Sequence, residues 1–158
     1  HVTDRRQRQM CIRDRSIAEE EVKYHSNDHG VVSIMYHRFE ENKYPSTNIK
    51  IDIFKKQLEL IDKNNIEYYD PAKFDIEFSN PKTNKKILIT IDDAFSSFYE
   101  NAWPILKKRK IPFILFVSTE PVGKSGYMNW EQIKEVASYD FAYIGNHSHT
   151  HEYLLNFS

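Results

Sequence analysis

The sequence predicts an α/β fold built on a parallel sheet or (β/α) barrel. Three observations carry this expectation. Short, mostly apolar runs recur along the chain, amphipathic stretches separate several of them, and carboxylates or histidines follow the ends of some of the runs. An apolar run without polar alternation reads as a strand covered on both faces. Strands that alternate with helices imply parallel pairing through right-handed crossovers.

The first segment is set aside before the elements are read. Five of the seven arginines (Arg5, Arg6, Arg8, Arg13, Arg15) and the sole cysteine, Cys11, lie in residues 1–15. Arg5 to Asp14 resembles, codon for codon, the translation of a transposon-type sequencing adapter. Residues 1–15 are therefore read as a non-native, adapter-derived segment and excluded from the fold. Without them Lys+Arg falls from 22 to 17 and Asp+Glu from 23 to 21, moving the net charge from −1 to −4. That balance leaves no basic surface to suggest a nucleic-acid partner. No disulfide framework or thiolate metal site remains either. No apolar run approaches the ~18–20 residues that a bilayer span requires. The oligomeric state leaves no trace in the sequence.

Residues 16–30 are polar and end in Asn27-Asp28-His29-Gly30, a lead-in loop. Val31 to Tyr36 reads as a buried strand with His37 at its carboxyl end. Asp52 suits the N-cap of a helix in which Phe54, Leu58 and Ile61 recur at helical spacing, and Asn64-Asn65 ends it. Ile66 to Tyr69 is a short strand stopped by Asp70-Pro71, and Asn80-Pro81 signals a turn. Ile87 to Ile91, five β-branched and aliphatic residues, reads as a buried strand running straight into Asp92 and Asp93. Phe95 to Lys108 has helical spacing at Phe98, Ala102 and Ile105, interrupted by Pro104. Lys107 to Lys110 reads as a solvated helix end. Phe113 to Val117 is another buried strand. Asn129 and Gln132 form a capping-box pattern for a helix to about Ser138. Phe141 to Ile144 is the next strand, followed by His147-Ser148-His149-Thr150-His151.

Chemistry gathers at the strand ends. In open α/β sheets and barrels, active sites are built at the carboxyl ends of strands. Asp92 and Asp93 leave one such end in different directions, although an Asp pair there could also cap the next helix. His147 and His151 are four apart, and on a helical turn that spacing would place both imidazoles on one side. One carboxylate with two histidines is a common ligand set for zinc or a related divalent metal.

These residues also carry a resemblance. Thr90-Ile91-Asp92-Asp93-Ala94 resembles the Thr-Phe-Asp-Asp-Gly motif of NodB-type polysaccharide deacetylases (carbohydrate esterase family four). His147-Ser148-His149-Thr150-His151 is similar to that family's His-Ser/Thr-x-x-His motif, and Ser33 to Phe39 to the opening of members acting on envelope or biofilm glycans. The resemblance implies a partial (β/α) barrel of the NodB-homology type over residues 31–158, the last strands lying beyond the chain. It implies metal ligands Asp93, His147 and His151 and a general base in Asp92. A divalent metal is the implied cofactor, Zn2+ first, with Co2+ or another transition metal as alternatives, and an N-acetylated glycan is the implied substrate. Ser148 and Thr150 become supports for the histidine loop, His149 a solvent-exposed or structural residue, and His37 a residue that could line the pocket. Ala94 stands where the family has Gly, so a positive φ there would strain it by about 1 kcal/mol. The family's later motifs, including a Leu-x-His that supplies the general acid, would lie beyond Ser158, so the chain reads as a fragment without full activity. An envelope or extracellular location follows from the resemblance. Two other readings remain open at this point: a non-sugar amide hydrolase using the same site, and a glycan-binding module with decayed catalysis.

Overall fold

The computed structural model describes residues 30–78 and 84–152. The adapter-like segment, residues 16–29 of the lead-in loop and the Asn80-Pro81 turn lie outside the described residues. Seven strands are formed among the described residues: β1 (Gly30–Tyr36), β2 (Arg38–Phe39), β3 (Asn48–Ile49), β4 (Glu67–Tyr68), β5 (Lys85–Asp92), β6 (Phe113–Val117) and β7 (Ala142–Asn146). Among them run helices α1 (Ile51–Lys63), α2 (Phe74–Phe78), α3 (Trp103–Arg109) and α4 (Trp130–Ala137).

The main sheet is parallel throughout, in the order β1-β5-β6-β7, so the expected α/β architecture is present. β5 is its hub. β1 pairs with it from Gly30↔Lys85 to Tyr36↔Ile91, β4 at Lys86 and Ile87, and β6 from Ile89 to Asp92. Parallel alignment brings the carboxyl ends of β1, β5, β6 and β7 to one edge. β2 and β3 form a separate two-stranded piece beside that edge. The core lies where aromatic side chains meet the sheet: Phe39, Phe54, Phe98 and Phe113 are fully buried with Ile89, Ile91 and Leu115.

Several local expectations hold and four are corrected. The capping box forms as read, with Gln132 N–H donating to Asn129 Oδ1 and Asn129 N–H to Gln132 Oε1, both at 2.9 Å. Phe54, Leu58 and Ile61 do face the core, each contributing roughly 1.5–3 kcal/mol by burial. The cap of α1, however, is not Asp52. Lys50 holds the N-cap position without a side-chain bond, and the carboxylate of Glu40 accepts the Ile51 N–H from outside the helix. A remote carboxylate serves the orphan donors and positive dipole end as well as a local cap does.

β1 is the second correction. Its side chains are largely exposed, Val32 at 62% and Met35 at 60%. Among the described strands only β5 pairs with it, so nothing described covers its outer flank. Third, the segment around Pro104 keeps one continuous helical path by opening into a wide π turn over Phe98–Ala102, where Trp103 N–H reaches back to Phe98 O. Pro104 has no N–H to give to Glu100, and the wider turn absorbs that loss. The extra residue rotates the following face by about 100°, so Leu106 is fully buried and Ile105 only partly. Fourth, the basic cluster ending α3 is not merely solvated. Lys107 pairs with Glu135 at 3.0 Å and Arg109 with Asp62 at 2.5 Å, tying α3 to α4 and α1.

Candidate metal centre

β5 delivers Asp92 at its last position, and the chain then turns through Asp93 and Ala94 with φ of 70° and 53°. Two left-handed residues in a row reverse the chain sharply and send the two carboxylates apart. Ala94 therefore carries the strain of about 1 kcal/mol that a Gly there would avoid. The turn is pinned by Met128 N–H donating to Ala94 O and Ser96 N–H donating to Gly126 O, both at 2.9 Å. With Phe98 N–H on Phe95 O, these helix-start donors go to backbone carbonyls and leave the carboxylates for the site.

β7 delivers His147, but the chain to His151 is a loop and not the helical turn expected. Asn146 Oδ1 accepts the Ser148 N–H at 2.8 Å, and Ser148 Oγ accepts the His151 N–H at 3.1 Å. Short polar side chains binding nearby backbone make a compact turn without a helix, with Ser148 and His151 both at positive φ. The segment after β6 braces this loop. His147 N–H donates to Val117 O at 3.0 Å, Ser118 Oγ to His147 O at 2.8 Å, and Glu120 N–H to His149 O at 2.9 Å. Ser118 and Asn146 were not foreseen as supports. Asn146 ahead of His147 is an Asx-turn signal that could have been read; Ser118 acts only because β6 and β7 are neighbours, which no local pattern announces.

The result is a convergent triad. Nε2 of His147 and Nε2 of His151 each lie 3.4 Å from Asp93 Oδ1 and 3.1 Å from each other. Ligands at ~2.0–2.1 Å from a tetrahedral zinc are separated from one another by about 3.3 Å, so these atoms already form one face of such a tetrahedron. The residues fit a divalent metal. Both nitrogens face an acceptor oxygen and each other, an arrangement a shared cation satisfies without needing either ring protonated.

Asp92 stands beside this face. Its Oδ2 is 3.9 Å from His147 Nε2 and 3.9 Å from His37 Nε2. The side chain is 11% exposed, and burial raises its carboxyl above the usual carboxylate range, against the pull of His147 and His37. His37 thus reaches the pocket from the end of β1. His149 is exposed, its Nδ1 2.7 Å from Thr119 Oγ1, in keeping with a structural or solvent-facing residue. Thr150 is exposed as well.

A family model described as polysaccharide deacetylase matches residues 79–158, which carry Asp92, Asp93, His147 and His151. The poly-β-1,6-N-acetyl-D-glucosamine N-deacetylase of Staphylococcus aureus is 31% identical over 83 residues, 52% of this chain and 29% of its own length. Among solved structures, IcaB from Ammonifex degensii superposes with a TM-score of 0.68 at 32% identity, covering 75% of this chain and 53% of that one. A polysaccharide deacetylase from Bacillus cereus gives a TM-score of 0.69 at 21% identity, covering 82% of this chain and 43% of its own, and shows the shared fold. The chain thus spans between about a third and a half of the length of the relatives it matches. With more than half its residues under the family model and its strand-end residues inside the match, the chain belongs to the polysaccharide deacetylase family.

Proposed function

We propose that the protein is a metal-dependent hydrolase that removes N-acetyl groups from an N-acetylglucosamine-containing polysaccharide. Residues 31–158 are assigned as the amino-terminal portion of its deacetylase domain. The observation that carries this reading is the convergence of Asp93, His147 and His151 on one point beside the buried Asp92. The name of the staphylococcal relative supports the substrate class.

Asp93, His147 and His151 would hold the cation. Zinc suits their mixed nitrogen and oxygen donors, and cobalt or another divalent transition metal would be held by the same set. When bound, such an ion supplies Lewis acidity, bringing water's pKa towards ~7 and polarising an amide carbonyl. Asp92 does the proton work. Burial raises its proton affinity, so it accepts a proton from the attacking water more readily than an exposed carboxylate. The water oxygen adds to the acetamide carbon as Asp92 takes its proton, the amide nitrogen takes up a proton as the C–N bond breaks, and acetate and a free amine result. His37, its Nε2 3.9 Å from Asp92 Oδ2, also faces that carboxylate. Asp93 cannot share the base role while its oxygen faces both histidines.

The test is acetate release from N-acetylglucosamine oligomers by the complete gene product with zinc or cobalt. Asp92→Asn should lower the rate by roughly 100-fold or more while zinc affinity stays within a few-fold of wild type. No release with either metal, or full activity in Asp92→Asn, overturns the proposal.

A further inference from the structure

Beside the metal centre lies a stack that the chemistry above does not use. The guanidinium carbon of Arg38 sits 3.4 Å from the centre of the Phe95 ring and 4.6 Å from that of Tyr44. Arg38 directly follows His37, and Phe95 directly follows the Asp93–Ala94 turn, so the stack is built on the same two strand ends as the site. Phe95 is buried and packs on Tyr127 with ring centres 4.9 Å apart. Arg38 is held in place by Glu41, 2.8 Å away, whose other oxygen accepts from the buried Ser97 hydroxyl at 2.7 Å. The outermost member, Tyr44, is 58% exposed.

Tyr44 is exposed yet fixed. Its backbone has φ of 59°, a left-handed conformation that side-chain-bearing residues avoid. Its carbonyl accepts the Thr47 N–H at 3.0 Å, which closes the turn. Strained, over-determined residues gather at binding sites, and Tyr offers a large amphipathic surface at little cost in side-chain freedom. One ring is too small for a protein interface, which needs on the order of 800 Å² per partner. It does match the flat C–H face of a pyranose. The charge behind it is already paired with Glu41, so the platform asks for a neutral ligand, as an N-acetylated sugar is.

Resting on the deacetylase reading, we propose that Tyr44, backed by Arg38 and Phe95, is a sugar-stacking subsite for an N-acetylated oligosaccharide, holding a unit near the one being processed. Arg38 and Phe95, which back Tyr44, follow the ends of β1 and β5, so a glycan bound at Asp93 would reach Tyr44 by running along that edge. The subsite would make binding depend on chain length, because it engages a unit other than the one at the metal centre.

Calorimetric titration of the zinc-loaded complete gene product with N-acetylglucosamine and with its hexamer tests this, with Asp92→Asn present throughout so that the hexamer is bound and not hydrolysed, and with wild type denoting Tyr44 in place. The wild type should prefer the hexamer. Tyr44→Ala should weaken hexamer binding by roughly tenfold, leave the monomer unchanged, and keep zinc affinity and melting temperature. Tyr44→Phe should bind the hexamer within about twofold of wild type, since stacking needs the ring and not the hydroxyl. Equal hexamer binding by Tyr44→Ala and wild type, or no length preference in the wild type, overturns the proposal. A length preference that Tyr44→Ala abolishes supports the subsite even if no acetate is released; that second failure would count against the catalytic reading alone.

Discussion

Nε2 of His147 stands 3.1 Å from Nε2 of His151 across a loop with no helical turn. Two imidazole nitrogens at that distance, both against one carboxylate oxygen, form a preorganised donor pair. Zinc should therefore bind the folded protein in the micromolar range or tighter, and His147→Ala and His151→Ala should each weaken it by at least about 100-fold. Asn146→Ala removes only the acceptor that shapes the turn and should cost roughly 10–100-fold. Calorimetric zinc titration checks all three; undiminished binding in His147→Ala would contradict the ligand set.

The wide turn at Phe98–Ala102 makes a prediction about helix phase. Leu106→Ala should destabilise the fold by about 2–5 kcal/mol, whereas Ile105→Ala should cost clearly less. Chemical denaturation of the two variants decides between the shifted face and an unbroken α-helical one.

Gly145 lies against an aromatic ring. A Cβ added there would stand 2.4 Å from Phe116 Cδ1, so Gly145→Ala must push that ring aside. The ring neighbours His147, with centres 6.3 Å apart. The variant should lose about 1–3 kcal/mol of stability and bind zinc more weakly than wild type, measured by thermal melting and metal titration together.

Glu40 links pH to the start of α1. Its bond from the Ile51 N–H, followed by the nearby Lys50, holds its carboxyl below the usual carboxylate range. A depressed folded-state pKa contributes stability that is present above the unfolded value of about 4.3 and is lost as pH falls through the folded value. Glu40→Gln should thus melt lower than wild type at pH 7, and the gap should close below about pH 4. A gap that stays constant across that range would show that the charge is irrelevant there.

Much of this site was legible in the chain because strand ends are written locally. The apolar run into Asp92 and Asp93 and the spacing of His147 and His151 named the converging side chains. Other features depended on partners distant in sequence. Glu40 outcompetes Asp52 as the cap of α1 because a separate turn places it there. The shift from Ile105 to Leu106 follows from how one helix accommodates Pro104. β1 reads as a buried strand by composition, yet burial is set by neighbours, and only β5 flanks it among the described strands. The loop from His147 to His151 kept the predicted pairing through a different backbone, because hydrogen bonds from Asn146 and Ser148 do the work of a helical turn.

The position of β5 as hub also orders events during synthesis. A chain made from its amino terminus can lay β1, β4 and β5 side by side, and add β6, before β7 exists. The acidic half of the site, Asp92 and Asp93, is then in place before its histidine counterparts exist. His147 and His151 come to face Asp93 only when β7, the last described strand, has docked beside β6.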